Sequence, residues 1–450
     1  MNSIDRRSVT IGLGAAALLS GARIARAAQP VDFIVIGAGL AGLAAAHKLA
    51  DAGKRVVVLE ARSRIGGRVW TSHLWPGLPV DLGASWIHGV TSNPISRIAD
   101  DIGAARVATR YEATRVYTPG AAVADIGDAL QAAENLLDRA RALAFEREAD
   151  ISLQSAVEAL PDWHRADPGF RRIVRHAVQS HVELDHAAGW SELSAWNLDD
   201  DEGFPGEDVY FPKGFFQIAE ALARGLDIRH GCEVVEIRQA HGGVSVGCRS
   251  GETFEATRAL VTLPLGVLKA GSVTFTPTLS NSRQDAIAAL GMGLLDKCWL
   301  AFEQPFWPPA LTAMEYVDPS SELWPLWMDF SALGAPLLLG FNAGRHAREL
   351  EHLSDRATIE SAVRSLRHMF GGAVPEPAAA QVTRWGRDPF ALGAYSFNAV
   401  GTGSTTREAL FGLDWGGGLA FAGEATDAAG FGTTHGAVIS GRRIAELLLT

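Results

Sequence analysis

Val31-Asp32-Phe33-Ile34-Val35-Ile36 runs directly into Gly37-Ala38-Gly39-Leu40-Ala41-Gly42, and Arg55-Val56-Val57-Val58-Leu59-Glu60 follows one helix-length later. The first six residues read as a buried parallel strand, because their apolar run is nearly continuous. A helix is expected from about Leu40 to Ala50, ending near Gly53. A second strand, Arg55 to Leu59, then ends in the acid Glu60. Strand, G-x-G-x-x-G, helix, strand and an acid roughly 20 residues on is the dinucleotide-binding pattern. Gly37 permits the tight turn. Gly39 lets backbone approach a pyrophosphate, and Gly42 lets the helix pack against the strand. The helix start at Leu40 and Ala41 offers N–H groups and a positive dipole end to phosphate. Glu60, with Ala61 and Arg62 behind it, is placed to meet ribose hydroxyls. The fingerprint alone does not separate NAD from FAD.

The remainder of the chain is consistent with a large soluble enzyme. Its 450 residues suggest two or three domain-sized units. A hydrophobic fraction of 47% and a charged fraction of 20% exclude disorder, collagen and coiled coil. The formal charge of −11 excludes a basic nucleic-acid footprint. An acidic surface could attract cationic ligands or simply confer solubility. Residues 1–27 read as a twin-arginine signal peptide: Asp5-Arg6-Arg7-Ser8-Val9 precedes a weakly apolar run, and Ala25-Arg26-Ala27 offers a cleavage site before Ala28. An uncleaved N-terminal tail is the alternative. No later segment is long and apolar enough to span a bilayer, so no stable membrane insertion is expected. The location expected is periplasmic or secreted. Cys232, Cys248 and Cys298 give neither a disulfide framework nor a metal-ligand spacing. Cys232 and Cys248 flank an expected hairpin at Ala240–Gly243, where they could pair or remain buried thiols.

A second motif narrows the cofactor. Arg64-Ile65-Gly66-Gly67-Arg68 follows Glu60 closely, and Asp81-Leu82-Gly83-Ala84-Ser85-Trp86-Ile87-His88-Gly89 comes next. Gly67 allows close backbone approach, and Arg68 can place charge opposite phosphate. Near the C-terminus, Gly423-Glu424-Ala425-Thr426 follows an expected strand, and Gly430-Phe431-Gly432-Thr433-Thr434-His435-Gly436-Ala437 opens the last helix. Together these motifs resemble the flavin-containing amine oxidases, closest to polyamine and spermine oxidases. The resemblance runs from residue 31 to about 443.

It implies an α/β fold of two interleaved domains: a Rossmann-like FAD-binding domain and a substrate-binding domain of mixed sheet and helices. The cofactor domain is assigned to 28–91, 206–279 and 386–450, and the substrate domain to 92–205, largely helical, and 280–385. The resemblance further implies non-covalent FAD, since no Cys lies beyond Cys298. It places Gly83, Ala84, Ser85, Trp86, Gly423, Glu424, Thr434 and Ala437 at the cofactor, Glu424 near the ribityl chain, and a backbone contact to adenine at Val235.

Four residues are assigned to the reacting centre. Lys297, on an expected strand with apolar neighbours, matches the family lysine that holds a water near flavin N5; an edge-strand charge is the alternative. Tyr395 in Gly393-Ala394-Tyr395 would form an aromatic wall for the amine. Thr433 stands where some amine oxidases carry a second Tyr, leaving a roomier slot. His88 could accept a hydrogen bond from a substrate nitrogen or serve as a structural residue at the tunnel mouth. Trp385 belongs near the isoalloxazine or in the core. Asp199–Glu202 is an anionic run that could select polycations or be a solvated loop. The activity expected is oxidation of a polyamine C–N bond, with O2 or a periplasmic redox protein as acceptor. Other amines, an L-amino acid, or a flavin scaffold without turnover are the competing readings.

Overall fold

The computed structural model describes residues 31–120, 122–123, 125–198, 203–317, 323–372 and 374–450. The expected signal peptide and the acidic run Asp199–Glu202 lie outside the described residues. Val31–Thr450 forms one compact unit.

Its first half-layer is a nine-stranded sheet. In spatial order the strands are Asp227–Arg229, Val56–Leu59, Val31–Ile36, Thr253–Val261, Gly243–Cys248, Val234–Ala240 and Thr274–Thr276. Leu419–Phe421 joins in parallel against Thr253–Val261, and Gly412–Asp414 pairs antiparallel with it. The central pairings of Val31–Ile36, to Val56–Leu59 on one side and Thr253–Val261 on the other, are both parallel. Ile34, Val35 and Ile36 are fully buried there, as a continuous apolar run in a parallel sheet requires. All these strands come from segments 28–91, 206–279 and 386–450.

Helices Leu40–Asp51 and Thr434–Leu449 pack together over this sheet, sharing one core with Leu43, Leu49, Val438 and Ile444. The approach is backbone on backbone. A Cβ at Gly441 would stand 2.2 Å from the Ala41 carbonyl oxygen, and one at Gly42 would stand 2.0 Å from that of Gly37. Gly37 itself turns at φ +103°.

A second, seven-stranded sheet has the order Ala379–Val382, Leu295–Ala301, Leu337–Ala343, Leu326–Asp329, Ala313–Tyr316, Thr114–Thr118, Ala122–Val123. Its strands come from segments 92–205 and 280–385. Helices Gly127–Phe145, Leu153–Glu158, Pro161–Arg165 and Pro168–Ala177 form a separate helical core around Leu136, Val157, Trp163 and Val174. The last of them runs on into a π-helical turn, Val178–Glu183. No helix of the described residues is long and apolar enough to cross a membrane.

Most expected elements lie within two residues of those observed. Two elements differ. The amphipathic pattern of Ala129–Ala149 predicts a helix there, and the helix spans Gly127–Phe145: Ala144 is its last buried residue and the side chains from Phe145 to Ala149 are exposed, so burial ends before the helix-forming sequence does. The run Cys232–Ile237 predicts a strand from Cys232; the strand begins at Val234 and carries a bulge between Val234 and Glu236.

Gly441→Ala offers a test of the helix contact. Alanine is the better helix former by about 1 kcal/mol, yet here overpacking, which costs about 1–3 kcal/mol, opposes that gain. The expected outcome is a lower thermal midpoint for Gly441→Ala. Gly127→Ala, where a Cβ meets nothing within 4 Å, should leave the midpoint unchanged or raise it.

Candidate active site

A single cavity of about 1210 Å³ runs from the glycine-rich turn to the second sheet. At its nucleotide end, Gly37, Gly39, Leu40 and Ala41 form the wall. Gly39 caps the helix with no side-chain bond, and a Cβ there would meet nothing within 4 Å. The first N–H groups of the helix therefore face open space of the kind a pyrophosphate fills. Gly42 does not line the cavity; it is spent on the close contact with Gly37. Glu60 is buried, and its two oxygens accept from the N–H groups of Ala38 and Arg62, each at 2.8 Å. Each oxygen keeps a lone pair for a ligand hydroxyl. Ala61 and Arg62 complete this wall, with the Arg62 guanidinium paired to Asp388 and lying over Phe390.

The strand residue on the cavity wall is Val234, beside Cys232 and Glu233, while Val235 is not on it. Val235 is the extra residue of the bulge between Val234 and Glu236. Arg68 lines the cavity with its charge already paired. Its Nη1 donates to Glu424 Oε1 at 2.8 Å and to the Ala394 carbonyl at 2.9 Å. A buried carboxylate needs a counter-charge, and Arg68 supplies it. Cys232 and Cys248 are free buried thiols. Burial first, then the neighbouring Cys232, pushes the Cys248 thiol up to about 12.

Glu424 organises the C-terminal wall. Its second oxygen accepts from Ser396 Oγ at 2.6 Å and from Gly432 N at 2.9 Å. Burial would raise its pKa, but Arg68, Ser396 and Arg407 hold it below the usual range. Arg407, fully buried, donates to Ser396 Oγ and stacks on Phe431. Gly423, Thr433, Thr434 and Ala437 line the cavity beside Glu424. The Thr433 hydroxyl caps the last helix: it accepts from Gly436 N at 2.9 Å and donates to the Gly430 carbonyl at 2.6 Å. Its donor is therefore already engaged. The N-terminus of that helix stands at the cavity, a position that stabilises negative charge.

Lys297 is buried at the far end of this wall. Its Nζ donates to the carbonyls of Asp81 at 3.2 Å and Gly83 at 2.5 Å, and to Ser85 Oγ at 2.6 Å. An ammonium has three donors, so any water it takes displaces one of these partners. Burial lowers its pKa to about 8 against the pull of Asp81. Asp81 is itself pushed up to about 6, by burial, despite hydrogen bonds from Thr71 and Phe215 N. Trp86 lies below the ammonium, 5.6 Å from Nζ to the ring centroid. Gly83, Ala84, Ser85 and Trp86 all line the cavity. A Cβ at Gly83 would collide with the Arg68 carbonyl at 1.8 Å, so no side chain fits. Trp385 also faces the cavity, and its Nε1 donates to the Leu82 carbonyl at 3.0 Å. Tyr395 is a half-buried wall whose hydroxyl donates to the Leu184 carbonyl at 2.6 Å, and desolvation raises its pKa strongly.

His88 is exposed where the cavity opens, its Nδ1 2.7 Å from Asp208 Oδ2. Asp208 also accepts from Gly89 N and from the Tyr111 hydroxyl. Sequence reasoning missed Asp208 and Tyr111, and it missed Asp185, His181, Glu315 and His435 on the same cavity. His435 offers a partial signal, since it sits inside the recognised C-terminal motif; burial, then His88, lowers its pKa to about 4. Glu315 had none: it is an isolated acid in an apolar strand.

The residues fit a bound dinucleotide of flavin type: two helix N-termini, a backbone-lined turn and a buried acid share one elongated cavity. Comparison with known proteins agrees. The profile of the family described as flavin containing amine oxidoreductase matches residues 40–449. Polyamine oxidase 2 of Arabidopsis thaliana is 35% identical over 435 residues, covering 92% of this chain and 87% of its own. Lysine-specific histone demethylase 1 homolog 1 of the same plant is 34% identical, covering 94% of this chain but 52% of its own. Putrescine oxidase bound to putrescine superposes with a TM-score of 0.74 at 21% identity, covering 93% of this chain and 99% of that one, a likeness of fold. The chain belongs to the flavin-containing amine oxidoreductases, and it is an FAD-dependent amine oxidoreductase of the polyamine oxidase type.

Proposed function

We propose that the enzyme oxidises long polyamines of the spermine and spermidine type at a C–N bond, with O2 as electron acceptor. The carrying observation is the cavity's acidic substrate end, where Asp185, Asp208 and Glu315 face the same space as Lys297 and Tyr395. Carboxylates in a confined apolar wall favour a polycation. The L-amino acid reading needs an arginine opposite the carboxylate. The arginines among the described lining residues are Arg62, Arg68 and Arg249, and each is paired with an acid. Bound here, FAD would supply the two-electron chemistry, as acceptor of the hydride from the carbon next to nitrogen and as donor of both electrons to O2. The balance is R–CH2–NH–R′ + O2 + H2O → R–CHO + R′–NH2 + H2O2, with water hydrolysing the imine.

This chain's residues position the amine and the cofactor. Tyr395 and Trp385 form the aromatic walls, and an aromatic face attracts residual positive charge on the amine. Lys297 fixes the Gly83–Ser85 segment. Gly432 N and Arg68 fix Glu424. The same proposal includes export through the twin-arginine machinery with cleavage near Ala27/Ala28, which N-terminal sequencing of the periplasmic protein checks. Recovery of an intact Met1 there would remove the leader.

Anaerobic mixing of the yellow protein with spermine, spermidine, N-acetylated polyamines, putrescine, an aromatic amine and an L-amino acid tests the substrate class. Rapid bleaching by the long polyamines, reversed on admitting air with release of peroxide, is the expected result. Bleaching by the aromatic amine or amino acid alone would replace the polyamine reading. Bleaching that air does not reverse would replace O2 by a protein acceptor. Lys297→Met should retain the yellow cofactor but slow flavin reduction or reoxidation about tenfold or more, the scale of a positioned polar group. Unchanged rates for both half-reactions would remove Lys297 from the reacting centre.

A further inference from the structure

The second sheet places four side chains in one row across neighbouring strands. Lys297 pairs with Phe341, Phe341 with Leu326, and Leu326 with Glu315. Directly paired residues share a face, and all four line the cavity. Neighbouring strands stand about 4.8 Å apart, so three steps carry the row about 14 Å. Its ends are polar and its middle is apolar. Lys297 marks the end that holds Gly83 and Ser85.

The far end is an ionised carboxylate. Burial would raise the Glu315 pKa, yet His176 and His181 hold it down to about 2. His176 Nε2 lies 2.7 Å from Oε2, and His181 Nε2 lies 3.3 Å from Oε1. His176 is buried, whereas His181 is part-exposed on the π-helical turn Val178–Glu183 and lines the cavity with Glu315. Such turns recur at functional sites.

We infer that Glu315 receives the terminal ammonium of a long polyamine, and that the row from Lys297 to Glu315 selects substrate length. This rests on the polyamine reading above. A carboxylate offers about four lone-pair sites, and the two imidazoles use two. An extended chain advances roughly 3.3–3.6 Å per three bonds. From a secondary nitrogen of spermine to its far terminal nitrogen there are about nine bonds, hence roughly 10–11 Å. A charge-assisted hydrogen bond adds about 2.8 Å, which brings the reach to the length of the row. Phe341 and Leu326 face the methylenes between. A four-carbon diamine spans about 6 Å on the same rule and does not reach both ends.

His181 controls when this receptor is anionic. The groups facing it are Glu315 from the sheet, Asp185 beyond the π-helical turn and Glu134 from helix Gly127–Phe145. The Glu315 hydrogen bond, followed by these charges, raises the His181 pKa against its burial. Protonated His181 cancels the Glu315 charge. Affinity for a long polyamine therefore falls as pH drops through the His181 pKa, and a short diamine does not share that fall.

The test uses the full-length yellow enzyme and anaerobic flavin reduction. It measures half-saturating concentrations for spermine and putrescine, or the inhibition constant where putrescine binds without reducing. Glu315→Gln should lower the preference for spermine over putrescine by about tenfold or more, the scale of one charge-assisted hydrogen bond. An unchanged preference with an intact flavin spectrum would overturn the inference. His181→Gln should flatten the pH dependence of that preference. It decides the matter by itself if Glu315→Gln does not fold, because a profile matching the unmodified enzyme would then overturn the inference. Failure of every amine to bleach the unmodified enzyme would instead defeat the polyamine reading, and this inference with it.

Discussion

A buried ammonium is costly unless every proton on it is accepted, and Lys297 meets that condition by capturing one short segment of chain. Asp81, Gly83 and Ser85 supply the acceptors. Trp299 and Trp385 add indole bonds to the Asp81 and Leu82 carbonyls. Three residues of the second sheet's segments thus hold a stretch that belongs, by sequence, to the nucleotide-binding part. The held stretch also bonds back to its own side, where Ala84 N donates to the Arg68 carbonyl and Leu82 N to that of Trp70. The consequence is a rigid panel between the two sheets. Its Gly83–Trp86 edge forms the cavity wall against which cofactor and substrate must meet. Removing the ammonium would leave the Asp81 carbonyl its Trp299 bond, but the Gly83 and Ser85 oxygens would lose their charged donor.

Glu424 applies the same rule with the opposite sign. Here the buried charge is negative, and it recruits Arg68, Ser396 and Gly432 from three separate stretches. Ser396 in turn accepts from Arg407. The network ties the R-x-G-G-R segment to the start of the last helix, whose close approach to helix Leu40–Asp51 depends on Gly441. Both helix N-termini therefore reach the cavity from one rigid body. A loose Glu424 would misplace the wall that its C-terminal helix presents.

These two examples show what a sequence reader can and cannot reach. The turn at Gly37, the cap at Gly39 and the contact at Gly42 are local, so their spacing is enough. Strand Val31–Ile36 is likewise decided by its own apolar run. The partners of charged residues are another matter: Arg68 and Glu424 lie 356 residues apart, and His88 and Asp208 lie 120 apart. Nothing in either neighbourhood announces the other. Arg68 reads as a phosphate ligand because a lone arginine near glycines has that meaning; with Glu424 beside it, its charge is already matched. Val235, taken from the family resemblance, is the bulge residue, and its neighbour Val234 is the one on the cavity wall. Glu315 is legible only through register, since its meaning comes from standing in line with Lys297 across three strand pairings.

The same distinction applies to charge. A net charge of −11 describes the surface as a whole and says little about a polycation's destination. Two carboxylates on the cavity are held ionised by imidazoles: Asp208 with His88 at the opening, and Glu315 with His176 and His181 within. In both, burial opposes ionisation and the histidine restores it. An imidazole can do so as a neutral hydrogen-bond donor or as a cation. The neutral form leaves a net negative site, and the cationic form leaves none. The Glu315 end of the cavity is thus most attractive to ammonium groups when His181 is unprotonated. Oxidation at carbon also needs a neutral nitrogen at the reacting end. Binding at the remote end and reactivity at the near end are favoured by the same direction of pH, through different groups.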